Sequence, residues 1–315
     1  MKANIALAIT LLMAMVLYSC SRSAQKSLAQ SPDTARSVMA GKSLTERNRY
    51  FAFDLLQQLP AEKTNTVISP FSISAAMAMT YAGARELTAQ QMVHAVYFDP
   101  DQAVFHQEYQ QYLSELKEMA GEEIQLNIAN SIWAQQDYHF LPDFFATLET
   151  HYHANVQQRN FASEHEAVRL QINQWVYEET HKNIEDLIPP MVLTPDTRMV
   201  LVNAIHFFGP WLKAFDKEQT QSLSFNSITG EKSSTDFMFS NDRFPYYEDD
   251  LFQALSIPYS GEHFSMIFML PSEDMSLQAF EQHLTAERFS EMIQQMHTQK
   301  AEVYIPRFKA STKVN

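Results

Sequence analysis

Residues 65–92 read NTVISPFSISAAMAMTYAGARELTAQQM and contain two helix starts and one helix stop. Ser69 followed by Pro70 is typical of an N-cap hydroxyl and of a first helical residue that needs no N–H. Gly83 is typical of the residue that ends such a helix. Almost every residue between Pro70 and Gly83 is apolar or small, so the sequence predicts a helix buried on all sides. A helix of that kind lies in the middle of a large core.

A second helix is predicted to begin at Thr88 within the same stretch. The Thr88 side chain can cap the N–H of Gln91, and the Gln91 side chain can reach back to the start of the helix. Leu87 and Met92 have the spacing of a hydrophobic staple across this start.

Apolar residues at helical spacing predict further helices along the chain. We expect them over 44–59, where Pro60 ends the pattern, over 101–119 with Gly121 as the stop, from a capping box of Ser163 and Glu166 to about His181, and over 277–284 and 286–296.

Strands are indicated by alternating or continuous apolar runs between turn residues. Residues 124–132 alternate, whereas 199–208, MVLVNAIHFF, form a nearly continuous apolar run that predicts a central strand covered on both faces. Several short strands are expected between Phe225 and Leu270, and one more over 301–305. The mixture predicts one α+β domain.

Composition excludes several classes of function. The chain has 315 residues, 45% of them hydrophobic, and a formal net charge of −14. An acidic chain without a basic cluster is not expected to bind nucleic acid. Its six glycines fall in no phosphate-binding pattern, and its single cysteine cannot form an internal disulfide. We expect no cofactor.

The N-terminus has the features of a targeting segment. Lys2 precedes an apolar run over 5–17, and Ser19 stands directly before Cys20. This pattern predicts a lipoprotein-type signal peptide over 1–19, with Cys20 lipidated; an ordinary signal peptide that contains a cysteine is the alternative. Residues 20–43 are predicted to be a flexible tether. The protein is therefore expected outside the cytoplasm, secreted or anchored by lipid at a bacterial envelope.

Six blocks of the sequence resemble the serpin family, in family order: ISPFSISAAMAM, ANSIW, INQWVYEET, LVNAIHFFGPW, SIPYSGEHFSMIFMLP and VYIPRFK. The resemblance extends from about Asn48 to Phe308. It implies a single serpin domain over 44–315, with an N-terminal helical bundle, a large central β-sheet and smaller sheets. His206 and Phe208 depart from the family pattern, and the family's glycine is absent from 180–187.

This resemblance implies an inhibitor of serine or cysteine endopeptidases rather than an enzyme. Such an inhibitor traps its target covalently while a cleaved loop inserts into the main sheet. The chain stops at Asn315, before the family's reactive loop, so we expect a domain incomplete at its C-terminus, a fragment, whose reactive-site bond lies outside this chain. The alternatives are a non-inhibitory serpin-fold binding or chaperone protein and an inactive fragment. A monomer is expected.

By the same resemblance, Ser69, Ser72 and Asn203 lie in the shutter that controls the parting of the central strands, and Trp211 lies in the breach where the loop enters. The residue type of Asn203 supports a role independently, because an amide inside an apolar strand needs a partner. Structural pairing of Asn203 and core packing of Trp211 remain open beside these roles.

Other chemistry receives less support from the sequence. Ser69 and Ser72 lie in no G-x-S-x-G elbow, so nucleophilic catalysis is not expected. His151 and His153 could lie on one side of a strand as metal ligands, with His165 as a third, but they form no recognised metal pattern, so no metal site is predicted.

Three remaining features are predicted to be structural. The acidic run 248–250 is expected to be a solvated turn, because it lacks the alternating spacing of a calcium loop. Trp133 and Trp175 are assigned to core packing.

Overall fold

The computed structural model describes Met39 and residues 41–59, 65–227 and 230–310. The predicted signal peptide, Cys20 and most of the predicted tether lie outside these residues. Within the described ranges the chain forms eight α-helices: α1 Leu44–Gln58, α2 Pro70–Gly83, α3 Glu86–Val96, α4 Gln102–Ala120, α5 Pro142–Tyr152, α6 Phe161–Glu179, α7 Leu277–His283 and α8 Ala286–Gln295.

The strands form two sheets. The three-stranded sheet contains β1 Gln125–Gln135, β2 Asn155–Arg159 and β3 Met199–Phe208, in the order β2-β1-β3. The five-stranded sheet contains β4 Gln221–Asn226, β5 Lys232–Glu248, β6 Phe252–Pro258, β7 Ser265–Pro271 and β8 His297–Pro306, in the order β4-β5-β6-β7 with β8 also on β5. The predicted α+β class is confirmed.

Helix α2 has the predicted bounds. The Oγ of Ser69 accepts a hydrogen bond from the N–H of Ser72 at 3.1 Å, Pro70 is the first helical residue, and Gly83 is the last. Eight of its fourteen residues are buried, as expected for a helix without a polar face. The predicted stop at Gly121 is also confirmed, since this residue follows the last residue of α4.

The predicted start at Thr88 is wrong, because α3 begins at Glu86 and Thr88 lies inside its first turn. The N-cap is Arg85, whose side chain makes no capping hydrogen bond. Its guanidinium donates instead to the carbonyls of Ala82 and Ala84, at 2.9 and 2.7 Å. Arg85 thereby satisfies the C-terminal end of α2 and fixes the chain entering α3.

The predicted capping box at Ser163 and Glu166 is also wrong. Helix α6 begins at Phe161, and its N-cap is Asn160, whose side chain accepts from the N–H of Ser163. Glu166 is one turn too far along, and its carboxylate pairs with Arg169 at 2.7 Å.

Strand β3 is covered on both faces, as predicted. Helix α2 packs on one face and α6 on the other. Leu201 joins the core cluster that contains α2, whereas Val200 and Val202 join the cluster that contains the apolar side of α6. Along its edges, however, β3 pairs only with β1 among the strands of the described ranges.

The five-stranded sheet has a separate apolar core. Met238 and Phe244 of β5 pack with Ile257 of β6 and Ile305 of β8. Helices α7 and α8 cover another part of this sheet, where Phe280 and Met292 pack on Phe252 and Ala254.

Candidate functional site

The candidate site is centred on two buried asparagines in the three-stranded sheet. Asn130 of β1 and Asn203 of β3 lie opposite each other in the antiparallel register, and each is 4% exposed. The Nδ2 of Asn203 donates to the Oδ1 of Asn130 at 2.8 Å, and the Nδ2 of Asn130 donates to the carbonyl of Tyr152 at 2.9 Å. Asn203 therefore has the partner that its sequence position predicted.

This asparagine pair faces the side of the sheet on which α2 packs. Side chains alternate along a strand, and Leu201, two residues before Asn203, packs in the core with α2. The Oδ1 of Asn203 has no hydrogen-bond partner among the described residues. One acceptor is therefore buried and unsatisfied at the interface of β3 with the helices.

Ser69 and Ser72 lie at the start of α2, the helix that packs on this face of β3. Ser69 is an N-cap, as predicted. Ser72 is 1% exposed, and its Oγ has no partner within the described ranges. No hydrogen bond among the described residues joins either serine to Asn203. The two serines and Asn203 therefore lie at the same interface, between α2 and β3, without forming one hydrogen-bond network.

A buried histidine lies next to this network. The Nδ1 of His106 in α4 lies 2.6 Å from the hydroxyl of Tyr152. Burial, and to a lesser extent the charges of His151 and Arg85, lowers the pKa of His106 to about 4. His106 is therefore a neutral imidazole at pH 7.

Sequence reasoning missed both Asn130 and His106. Asn130 could have been found, because it interrupts the apolar alternation of β1, as Asn203 interrupts the continuous apolar run of β3. His106 carries no such signal, since its burial depends on Tyr152, 46 residues further along the chain.

On the opposite face of β3, His206 contacts His181, just beyond the end of α6. The ring centroids are 4.7 Å apart with an interplanar angle of 69°. Burial and the neighbouring His181 lower the pKa of His206. Its Nδ1 has no partner among the described residues.

Two of the three departures from the family pattern thus meet at one place. His206 stands on β3, and the segment that lacks a glycine supplies His181 and Lys182. Both have positive φ, 50° and 67°, in the left-handed region that glycine adopts most readily.

The segment after β3 forms a tightly packed joint with the end of β6. The ring of Trp211 stacks on Tyr259, with centroids 4.6 Å apart and an interplanar angle of 9°. A β-bridge also joins these two residues. A Cβ on Gly209 would lie 2.7 Å from Cδ1 of Ile124 and 3.0 Å from Cδ1 of Tyr259, so the side chain of Ile124 would have to shift to admit it. Trp211 is 5% exposed, which confirms the packing interpretation.

The other two tryptophans contact the α6 side of the sheet. Trp133 is buried in the cluster formed by α6 and β3, and Trp175 is partly buried against that cluster. The assignment of both residues to packing is confirmed.

The strand prediction for His151 and His153 is wrong. His151 lies in the last turn of α5, and His153 follows this helix with a left-handed φ of 51°. The apolar side of α5 explains the error, because its residues pack at helical spacing into the core. No group of three or more His, Cys, Asp or Glu side chains in the described ranges is arranged to hold a metal ion.

Asp249 and Asp250 lie in a turn between β5 and β6, as predicted for the acidic run, whereas Glu248 is the last residue of β5 and pairs with Gln253 of β6. The carboxylate of Asp249 accepts hydrogen bonds from the N–H groups of Leu251 and Phe252 and pairs with Arg288 at 2.6 Å. Hydrogen bonds to Asp249 thus hold this turn closed.

No helix in the described part of the chain combines the length and the apolarity that a membrane crossing requires.

These features define a class: an α+β protein whose buried helix lies on one face of a sheet while another helix crosses the opposite face. Comparison with known proteins identifies the family. Residues 46–315 match the family model described as serpin (serine protease inhibitor). The chain belongs to the serpin family.

Individual relatives agree. An uncharacterized serpin-like protein of Methanosarcina mazei is 33% identical over 278 residues, covering 87% of this chain and 65% of the relative. Human Serpin B3 is 34% identical over 287 residues, covering 85% of this chain and 73% of the relative. The structure of emu ovalbumin superposes with a TM-score of 0.80 at 27% identity, covering 84% of this chain and 73% of that one. The chain thus spans about two thirds to three quarters of these relatives.

Proposed function

We propose that this protein is a serpin-type inhibitor of serine or cysteine endopeptidases, which traps its target while a cleaved loop joins the sheet beside β3. One observation carries the proposal. Residues 46–315 match the family model described as serpin (serine protease inhibitor), and helices cover both faces of β3. A strand added beside β3 would therefore be buried as it pairs with the backbone of the sheet.

The chemistry is that of an interrupted proteolysis. The protease's serine or cysteine attacks the scissile carbonyl, an acyl bond forms, and the peptide C–N bond breaks as the amine leaves with a proton. Insertion of the cut loop then distorts the protease before water can hydrolyse the acyl bond. The free energy for this distortion comes from the pairing gained when the sheet is completed.

We propose that Ser69, Ser72 and Asn203 form the shutter of this sheet. The support comes from the Oγ of Ser72 and the Oδ1 of Asn203, which are buried without partners among the described residues. Burying such atoms costs free energy, which an incoming strand that supplies hydrogen bonds would recover. If Asn203 instead serves only to pair with Asn130, its replacement will alter stability but not the rate of trapping.

Trp211 is proposed to lie at the breach. It follows β3 directly and locks the end of that strand to β6 through its stack on Tyr259. A strand entering beside β3 at this end would pass close to the joint.

The test is to mix the protein, expressed from its entire gene, with trypsin, chymotrypsin, elastase and papain. We expect at least one protease to yield an adduct that survives boiling in SDS. The same protease inactivated at its catalytic residue is the control and should yield none. Cleavage of the protein by every protease without any adduct would refute inhibition.

We propose further that residues 1–19 are removed as a lipoprotein signal peptide and that lipidated Cys20 anchors the protein outside the cytoplasm. The sequence pattern Ser19-Cys20 supports this. Cys20→Ser is expected to release the protein from the membrane fraction. Unchanged fractionation of Cys20→Ser would instead favour an ordinary signal peptide.

A non-inhibitory binding function is the second candidate. The chain is similar to emu ovalbumin, and it shares the fold of reactive-loop-cleaved human thyroxine binding globulin, with a TM-score of 0.77. These two likenesses are the reason for considering a binding function. Unfolding temperature discriminates the two. Cleavage of the loop raises it if a strand inserts, and leaves it unchanged if the protein only binds a ligand.

A further inference from the structure

A groove that the proposed inhibitory mechanism does not use lies between α6 and the β1–β2 edge of the three-stranded sheet. It is shallow and open to solvent, with a volume of about 600 Å³. Its lining includes Trp133, Arg159, Gln171, Gln174, Trp175 and Glu178.

Four of these residues form one stripe along α6. Gln171, Gln174, Trp175 and Glu178 follow helical spacing, so they share a face. That face is distinct from the apolar side, where Val168, Ile172 and Val176 are buried in the core. The two glutamines and Glu178 are exposed, and the ring of Trp175 is only partly covered.

Arg159, the last residue of β2, is held rigidly at the groove. Its guanidinium lies over the ring of Trp133, 5.2 Å from the centroid. Its Nε donates to Gln171, and its two terminal nitrogens donate to Gln157 and to the carbonyl of Gln158, each at 2.8 Å. These bonds use three of the five N–H groups and leave one on each terminal nitrogen for a ligand.

The opposite side of the groove supplies acceptors. The Nε2 of Gln174 donates to Oε1 of Glu178 at 2.7 Å, which leaves the second carboxylate oxygen and the amide oxygen of Gln174 free to accept. One cation and one anion line the groove, so their formal charges cancel. A charged ligand would gain attraction from one of them and repulsion from the other.

We propose that this groove binds a neutral saccharide made of pyranose rings. A pyranose presents C–H groups on its faces, which suit the flat ring of Trp175, and hydroxyl groups around its rim, which both donate and accept. Arg159 donates to ring hydroxyls, while Gln174 and Glu178 accept from them. Because the groove is bounded by α6 on one side and by β1 and β2 on the other, the bound saccharide also clamps the helix to the sheet.

The test is isothermal titration of the full chain with hexasaccharides of β-1,4-glucose, α-1,4-glucose, β-1,4-N-acetylglucosamine and α-1,6-mannose. We expect saturable binding of at least one of them. Gln174→Ala and Trp175→Ala should each weaken that binding by about tenfold, through loss of an acceptor and of the ring platform. Tyr138→Ala removes an exposed aromatic ring, 52% exposed, outside the groove and should leave the affinity unchanged.

Circular dichroism shows whether each variant folds. Gln174 is exposed, so Gln174→Ala is expected to fold and to provide the test even if Trp175→Ala does not fold. Absence of saturable heat with all four saccharides would overturn the proposal. Equal affinity in Gln174→Ala would overturn it as well, because the binding would then lie elsewhere. Binding of a proline-rich peptide at the groove, with no saccharide binding, would assign the groove to a protein partner instead.

Discussion

The two sheets bury different kinds of side chain. The three-stranded sheet, covered by helices on both faces, buries Asn130, Ser131, Asn203 and His206. Within the described strands of the five-stranded sheet, the only buried polar side chain is Ser256, and the core is built from rings and aliphatic chains.

The difference separates a scaffold from a part that can rearrange. Displacement in a closely packed apolar core loses contacts, so we expect the five-stranded sheet to resist rearrangement. In the three-stranded sheet, Oδ1 of Asn203 and Nδ1 of His206 are buried and have no hydrogen-bond partner among the described residues. A new arrangement that supplied partners would therefore lower the free energy of this sheet.

The largest effect is expected from a cavity in the scaffold. Phe244 of β5 is 6% exposed in the core of the five-stranded sheet. Phe244→Ala should lower the free energy of unfolding by about 3–5 kcal/mol, measured by urea denaturation. Leu270→Ala in β7, a residue 65% exposed, is the matched control and should change it by less than about 0.5 kcal/mol. Equal losses in the two variants would contradict the packed core.

The asparagine pair provides the second test. Asn203→Ala leaves Oδ1 of Asn130 without its donor and should cost about 1–3 kcal/mol in unfolding free energy. The double variant Asn130→Ala/Asn203→Ala should lose less unfolding free energy than the sum of the two single variants, because both changes remove the same hydrogen bond.

Asn241 is the control for this pair in the other sheet. It lies exposed on β5, and its Nδ2 donates to Glu302 at 3.2 Å. Asn241→Ala should cost less than about 0.5 kcal/mol. Additive effects of Asn130→Ala and Asn203→Ala would show that the two residues do not act through their shared bond.

The joint between the sheets can be tested by overpacking. Gly209→Ala should destabilise the protein by about 1–3 kcal/mol, because its Cβ would lie 2.7 Å from Cδ1 of Ile124. Ile124→Val removes that atom, so the double variant should recover part of the loss in a urea titration. If Gly209→Ala leaves the free energy of unfolding unchanged, the side chains around the joint accommodate the added methyl group without loss.

The smallest expected effect is a dependence on pH confined to one sheet. The folded-state pKa of His206 is lowered, so the unfolded chain binds the proton more readily below about pH 6.5. Stability from this residue is complete above that pH and falls as the pH drops. Besides His181, the charged groups near His206 are Lys182 and Glu179. Asn127 lies opposite His206 in the strand register, and its Nδ2 is 3.2 Å from the carboxylate of Glu179.

Hydrogen exchange corrected for the intrinsic rate should therefore show lower protection of β3 at pH 5 than at pH 7.5, with β5 unchanged. His206→Phe should reduce that difference. A loss of protection that is equal in β3 and β5 would assign the acid sensitivity to the whole fold.

Local signals in the sequence were sufficient for much of the fold. Features that depend only on neighbours along the chain were predicted: the N-cap at Ser69, the helix stops at Gly83 and Gly121, and the apolar run of β3. The starts of α3 and α6 were not. Helix α3 begins after Arg85, whose side chain binds the end of α2 rather than capping α3, and Glu166 pairs with Arg169 instead of completing a capping box.

The candidate site was predicted in part for the same reason. An amide in an apolar strand showed that Asn203 needs a partner, but the identity of that partner, 73 residues away, depends on strand register. The contact of His181 with His206 and the groove beside Trp175 likewise arise from tertiary packing, which periodicity does not encode.

The most direct measurement is hydrogen exchange of the protein with and without an added extended peptide of about ten alternating threonine and alanine residues, long enough to run along β3. If the edge of β3 accepts a strand, protection should rise in Met199–Phe208, while β5 and β8 remain unchanged. No change in β3, or an equal rise in both sheets, would contradict the account.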